Sequence, residues 1–177
     1  FVLDLKANGP TVIEVPPGVM GPIDDHNFLF LADVGPTGKD KGKGGKYLIL
    51  PPGYEGDVPE GYFVEQSPTN MVFSFLRANA DIVGAGEKAL EFYRKYAKVY
   101  PLKDGPSEPR VKNVTGMPFD TLVPENGKAF KWMHEIINYE PAEAFGKELL
   151  GKLASLGIEK GKPFAPDERM KKILTDA

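Results

Sequence analysis

Two Pro-Pro-Gly triplets, at 16–18 and 51–53, constrain this chain more than any other feature. Each follows directly on an apolar run, "TVIEV" and "KYLIL". Proline lacks the N–H that a β-ladder needs and holds φ near one value, so a strand ends there. The glycine behind it lets the chain turn. "FVLDL", "NFLFLADV", "GYFVEQ" and "MVFSFLR" are further short apolar runs between turn residues in the first 77 positions. Asn8-Gly9, between the first two runs, predicts a tight hairpin. Six short strands broken by turns predict an antiparallel, jelly-roll-like β-sandwich. The 20 glycines and 17 prolines have no fixed period, so they mark turns and not a collagen-like repeat.

The pattern changes after Arg77. "GEKALEFYRKYAKVY" puts Leu90, Tyr93, Ala97 and Tyr100 on one helical face, and predicts a helix running to Pro101. The aromatic side chains Phe92, Tyr93, Tyr96 and Tyr100 read as the seam docking that helix on the sheet. Residues 101–127 form a Pro/Gly-rich connector, with one short strand expected at "RVKNV". Three helices follow. "KAFKWMHEIINY" gathers Phe130, Met133, Ile136 and Ile137. "PAEAFGKELLGKLASLG" is expected to start at Pro141, to carry the stripe Phe145, Leu149, Leu153 and Leu156, and to end at Gly157. "APDERMKKIL" has acids early and lysines late, matching the helix dipole. The expected fold is therefore α+β: a sandwich part over 1–83, then a helical segment over 84–177.

Bulk properties exclude several function classes. Apolar residues make up 41% and charged residues 27%, ordinary for a globular chain of 177 residues. A net charge of −3 gives no global attraction to nucleic acid. There is no cysteine, which removes disulfides, thiolate metal sites and a Cys nucleophile. No apolar run is long enough for a membrane-spanning helix. The chain opens on Phe1 inside an apolar run, which suggests a piece of a longer product.

Three constellations could carry chemistry. The stretch "GPTGKDKGKGGKYLILPPGYEG" sets Lys39, Lys41, Lys43 and Lys46 in a glycine-rich loop, a candidate anion-binding edge. It fails the phosphate-loop spacing, because no Gly-Lys pair is followed by Ser or Thr, and a strand follows where a helix would have to open. A solvated loop between strands is the simpler reading, and Asp40 weakens the anion site further. The second cluster is Asp24, Asp25 and His26, in "DDHNF". Two carboxylates beside a histidine suit acid–base chemistry, but neighbours in an extended chain face opposite ways. The simpler reading is a polar turn capped by Asp24 or Asp25. Asp33 and Glu55 are further acidic candidates for loops at one end of a sandwich. The third candidate is His134, beside Met133 on a predicted amphipathic helix, where a packed boundary histidine is the simpler reading. No cofactor or metal motif is present, and the serines lack a nucleophile elbow.

Three segments carry a family resemblance along essentially the whole chain: "LDLKANGPTVIEVPPGVMG", "DKGKGGKYLILPPGYEGDVPEGYFVEQSPT" and "GIEKGKPFAPDERMKKIL". The chain resembles bacterial proteins that pair a domain of unknown function 1254 with a following domain of unknown function 1214. The resemblance implies a jelly-roll-like sandwich and a further C-terminal β domain of the same protein as partner. It also implies export to the periplasm or outside the cell. It supplies no catalytic residues. The functional expectation is a non-catalytic structural or ligand-binding sandwich domain. The alternatives are a hydrolase acting on a glycan or small ester, or an assembly module docking the second β domain or another copy of the chain.

Overall fold

The computed structural model describes residues 1–106, 114, 116–118, 122–124 and 127–176. The chain forms two compact units, Phe1–Lys112 and Asn113–Ala177. Among the described residues no helix is long and apolar enough to cross a membrane. The strand expected at "RVKNV" lies, apart from Val114, outside the described residues.

Among the described residues of the first unit, nine strands make two mostly antiparallel sheets. The strands are β1 Val2–Asp4, β2 Thr11–Val15, β3 Val19–Asp25, β4 Phe30–Val34 and β5 Gly45–Leu50. They continue with β6 Phe63–Gln66, β7 Met71–Ser74, β8 Arg77–Ala78 and β9 Lys98–Pro101. One sheet has the order β1-β7-β3-β4, with β8 also on β3; the other has the order β6-β5-β2-β9. The sequence therefore crosses repeatedly from one sheet to the other, and Pro16–Gly18 makes one of those crossings between β2 and β3. Leu3, Ile23, Val34 and Val72 from the first sheet meet Ile13, Val15, Tyr47 and Ile49 from the second in one buried core. This is the expected α+β, sandwich-like architecture.

The second sheet is covered on both faces. Val12, Leu48, Leu50 and Tyr100 form a separate cluster on its far side, roofed by Tyr54, Tyr62, Val64 and Leu102. That double burial explains the unbroken apolar run Tyr47–Leu50, which does not alternate. β6 runs parallel to β5, an exception in an otherwise antiparallel pair of sheets. The connection 51–62 is long enough to carry the chain back along the sheet, which a parallel pair requires.

Three local expectations change. Asn8-Gly9 does not close a hairpin, because β1 and β2 belong to different sheets. Instead Leu5–Asn8 forms a one-turn helix, α1, capped at one end by Asp4 and at the other by Gly9 at φ 74°. The helix predicted to run to Pro101 ends earlier. Following the short α2 (Ala80–Val83), α3 spans Glu87–Tyr96. Its continuation, β9, pairs with β2. Tyr100 is thus a buried strand residue, while Phe92 and Tyr93 pack on the main core. A compact unit boundary at 83 does not result, because β9 brings the chain back into the sandwich.

The second unit holds α4 Lys128–Tyr139, α5 Lys147–Ser155 and α6 Glu168–Asp176. α4 matches the predicted helix. α5 begins at Lys147 and not at Pro141, since Phe145 and Gly146 are extended. The reset changes the helical phase: Leu150 and Leu153 turn inward, and Leu149 is exposed. Ile137, Leu153 and Ile158 form the core here, with Phe130, Phe145 and Phe164 against them. Lys160 ties the end of α4, its ammonium donating to the carbonyls of Ile137, Asn138 and Glu140. That contact satisfies acceptors which a helix terminus otherwise leaves open.

Candidate functional site

The strand register decides where the acidic trio points. Asp25 stands opposite Val72, whose side chain lies in the core, so Asp25 faces inward. Asp24 therefore faces outward, since successive side chains alternate. The two carboxylates sit on opposite faces of the sheet and do not share one site. Asp25 is 1% exposed and organises the β3–β4 turn. Its Oδ1 accepts from the N–H groups of Asn27 at 2.7 Å and Leu29 at 2.9 Å. Its Oδ2 is buried with no hydrogen-bond partner among the described residues. The His26 N–H donates to Thr69 Oγ1.

Asp24 has aromatic neighbours on both flanks. Phe73 is opposite it on β7 and Phe30 on β4, and Val2 follows Phe73 in the same row. Directly opposed residues stand about 5 Å apart at Cβ, so these side chains are neighbours across the sheet. A bulge between Ile23 and Asp24 shifts the register, a device that re-aims side chains. The Phe28 ring, at the turn, lies 5.3 Å from that of Phe73. In the next row Asp33 is opposite Pro22, and Phe75 follows Phe73 on the same face. The Arg77 guanidinium lies over the Phe75 ring. Phe28, Phe30, Val2 and Phe75 are 70%, 67%, 66% and 51% exposed. Burial, and then the charges of Asp25 and Asp33, push the Asp24 carboxyl above its ordinary value of 3.8.

This face was not anticipated from sequence. The signal was present in "MVFSF", where Met71, Phe73 and Phe75 alternate with Val72 and Ser74. A half-buried strand normally sends its polar residues outward; here Ser74 is buried and phenylalanines are outside.

The lysine loop is built around Asp40, which is 3% exposed. Its Oδ1 accepts from the Gly35 N–H at 2.7 Å and lies 2.8 Å from the Tyr47 hydroxyl; its Oδ2 accepts from the Gly44 N–H at 3.1 Å. The Tyr47 hydroxyl also lies 2.9 Å from the Asp33 carbonyl. Burial, first, and the Asp40 carboxylate raise the Tyr47 hydroxyl well above the usual tyrosine range. The four lysines do not converge. Lys39 pairs with Glu65 on β6, and Lys46 stands opposite Glu14 on β2. Lys41 and Lys43 are exposed on the loop. Gly44, at φ 76°, could not carry a side chain, because a Cβ would meet the Val15 carbonyl at 2.6 Å.

The remaining candidates lie apart from these. Glu55 is exposed on the 51–62 connection. His134 is in the second unit; its Nε2 donates to the Lys162 carbonyl at 2.7 Å, and its ring stacks on Phe164. Among the described residues, no three His, Asp or Glu side chains stand together as a metal site would require.

Fold and surface together define a two-sheet β-sandwich domain followed by a helical unit. The profile of a family described as "Protein of unknown function (DUF1254)" matches residues 1–101, more than half the chain, and the chain belongs to that family. Among solved structures it is similar to the VPA0106 protein from Vibrio parahaemolyticus, with a TM-score of 0.64 and 18% sequence identity. That similarity covers 99% of this chain and 44% of the Vibrio chain, so this chain spans less than half the length of that relative. At such identity the likeness is one of fold. No curated protein matches the chain.

Proposed function

We propose that the chain is a non-catalytic binding module of an exported bacterial protein, and that it binds through the outer face of the β1-β7-β3-β4 sheet. One observation carries this reading: exposed Phe28, Phe30 and Phe75 surround the carboxylates of Asp24 and Asp33 on a single sheet face. Flat aromatic rings offer large contact area at low conformational cost. Carboxylates beside them accept hydrogen bonds from a ligand's edge. A saccharide presents that combination, with C–H faces and hydroxyl rims. Calorimetric titration with neutral hexasaccharides tests the idea. Saturable binding that disappears in the Phe28→Ala/Phe30→Ala variant, with the fold intact, is expected. A panel with no binder rejects it.

A second reading is favoured by the greater length of the Vibrio relative. In it the same face docks a following β domain, of the 1214 type, within a longer protein. In that case Phe28 and Phe30 become protected from solvent when the longer protein is compared with this chain. Hydrogen exchange and aromatic labelling distinguish the two readings. A hydrolase acting on a glycan or small ester is the third reading, with Asp24 and Asp33 on one sheet face as its acidic pair. It requires turnover that Asp24→Asn abolishes.

A further inference from the structure

The register of β3 and β4 makes the Asp24 and Asp33 carboxylates close neighbours on the outer face of their sheet. Asp24 stands opposite Phe30, and Asp33 stands opposite Pro22, two residues before Asp24 on β3. The pair is therefore diagonal across the ladder, a relation that puts Cβ atoms within roughly 8 Å. Both side chains are half-buried. Neither carboxylate has an ion-pair partner among the described residues. The Arg77 guanidinium, on β8, lies over the Phe75 ring, 5.2 Å from its centroid, and forms no ion pair with either.

That missing counter-charge bears on what the face can hold. Burial, and then the charges of Asp25 and Asp33, already raise the Asp24 carboxyl. A neutral ligand laid on Phe28 and Phe30 would take water from two carboxylates and supply no charge in return. Hydroxyl donors offset part of that cost, but the two charges repel more strongly once the site is dry. An ammonium offsets it more fully, through charge-assisted hydrogen bonds and through attraction to phenyl rings. A bare polycation would meet the carboxylates and leave the rings uncovered. A pyranose with an amino group has both parts: a C–H face for the rings and an ammonium on its edge.

We propose that this face selects an amino-saccharide, a chain of hexosamine units with free amino groups, over its neutral counterpart. The selection rests on the sheet-face reading above and narrows its ligand class. The test is calorimetry on the full chain with a β-1,4-linked glucosamine hexamer and its fully N-acetylated form, in mildly acidic buffer that keeps the amines charged. The amino form is expected to bind roughly tenfold more tightly at low salt, with an advantage that shrinks as salt is raised. Asp24→Asn with Asp33→Asn, isosteric changes at half-buried positions, should bring the two affinities together. Asp57→Asn with Glu60→Gln removes the same charge from the exposed 51–62 connection and should leave the preference intact. Equal affinities, a preference indifferent to salt, one that survives the Asp24/Asp33 variant, or one lost in the Asp57/Glu60 variant would each overturn the proposal. So would hexalysine binding as tightly as the amino hexamer. Equal binding of both hexamers, or binding of other neutral hexasaccharides alone, leaves the sheet-face reading standing and removes this one; no binder at all removes both.

Discussion

Two loops of the sandwich are built by the same device and end in opposite chemistry. The β3–β4 turn closes around buried Asp25, and the β4–β5 loop closes around buried Asp40. The first raises phenylalanines into solvent, the second lysines. Their carboxylates differ in one respect. Both oxygens of Asp40 accept hydrogen bonds, whereas Asp25 leaves Oδ2 unpartnered. Asp40 thus has both carboxylate oxygens engaged, and the glycine-rich loop closes around it. In sequence the lysine loop read first as a solvated connection and only second as a candidate anion edge, and "MVFSF" read as plain strand. The exposed rings draw more attention than the lysines, because aromatic exposure on a sheet face is costly without an occupant and lysine exposure on a loop is not.

The largest effect expected from this comparison is for Asp40→Ala. It strands the Gly35 and Gly44 N–H groups and removes one of the two acceptors at the Tyr47 hydroxyl, which keeps the Asp33 carbonyl, at a cost of about 3 kcal/mol in urea unfolding. A loss no greater than that of an exposed-site control would show that water replaces the carboxylate, and would dissolve the contrast. Asp25→Ala should cost less, about 2 kcal/mol, since only two N–H groups lose their acceptor. Asp25→Asn keeps Oδ1 and replaces the orphaned oxygen, so it should come out near wild type. If Asn proves as damaging as Ala, the charge itself holds the turn.

Phe28 offers a finer test. It sits at φ 58°, a region that costs an L-residue about 1–2 kcal/mol. Phe28→Gly and Phe28→Ala both lose the ring, so the glycine variant should be the more stable by about 1 kcal/mol. Equal thermal midpoints would mean the turn relaxes once the ring is gone. The smallest effect belongs to Asp24. Its folded pKa is raised above 3.8, so the folded state binds its proton more tightly than the unfolded chain does. Stability is then lost as pH rises through the folded value, and nothing is contributed below 3.8, where both states are protonated. Asp24→Asn should stabilise slightly at neutral pH, and the gain should vanish in acid. A gain that persists in acid would assign the effect to packing against Phe73 and Phe30.

Elements governed by their own neighbours were legible in the sequence. Pro-Pro-Gly ends β2 and β5 because proline cannot donate to a ladder, whatever lies opposite. α4 was readable over 128–139 from its apolar spacing alone. The turn role of Asp25 was also legible, since an aspartate two residues ahead of an N–H is a local arrangement. The aromatic face was not, because it depends on Phe28 and Phe30 from one hairpin meeting Phe73 and Phe75 on a strand far along the chain.

The amino-acid order by itself therefore determined the ends of β2 and β5 and the extent of α4, where a proline or a helical period acts within a few residues, but not the start of α5 or the end of α3. Only the tertiary structure decided which sheet each strand joins and which face remains uncovered. Tyr100 shows why. Its spacing fits the face of α3, but "KVYP" gains ladder hydrogen bonds with β2, and the Tyr100 hydroxyl reaches Glu14 at 3.2 Å. Burial, and then Glu14, push that hydroxyl up to about 12. A partner eighty-six positions away in sequence outweighed the four-residue period, because the buried ladder satisfies backbone groups that another turn of helix at the sandwich edge would leave to solvent.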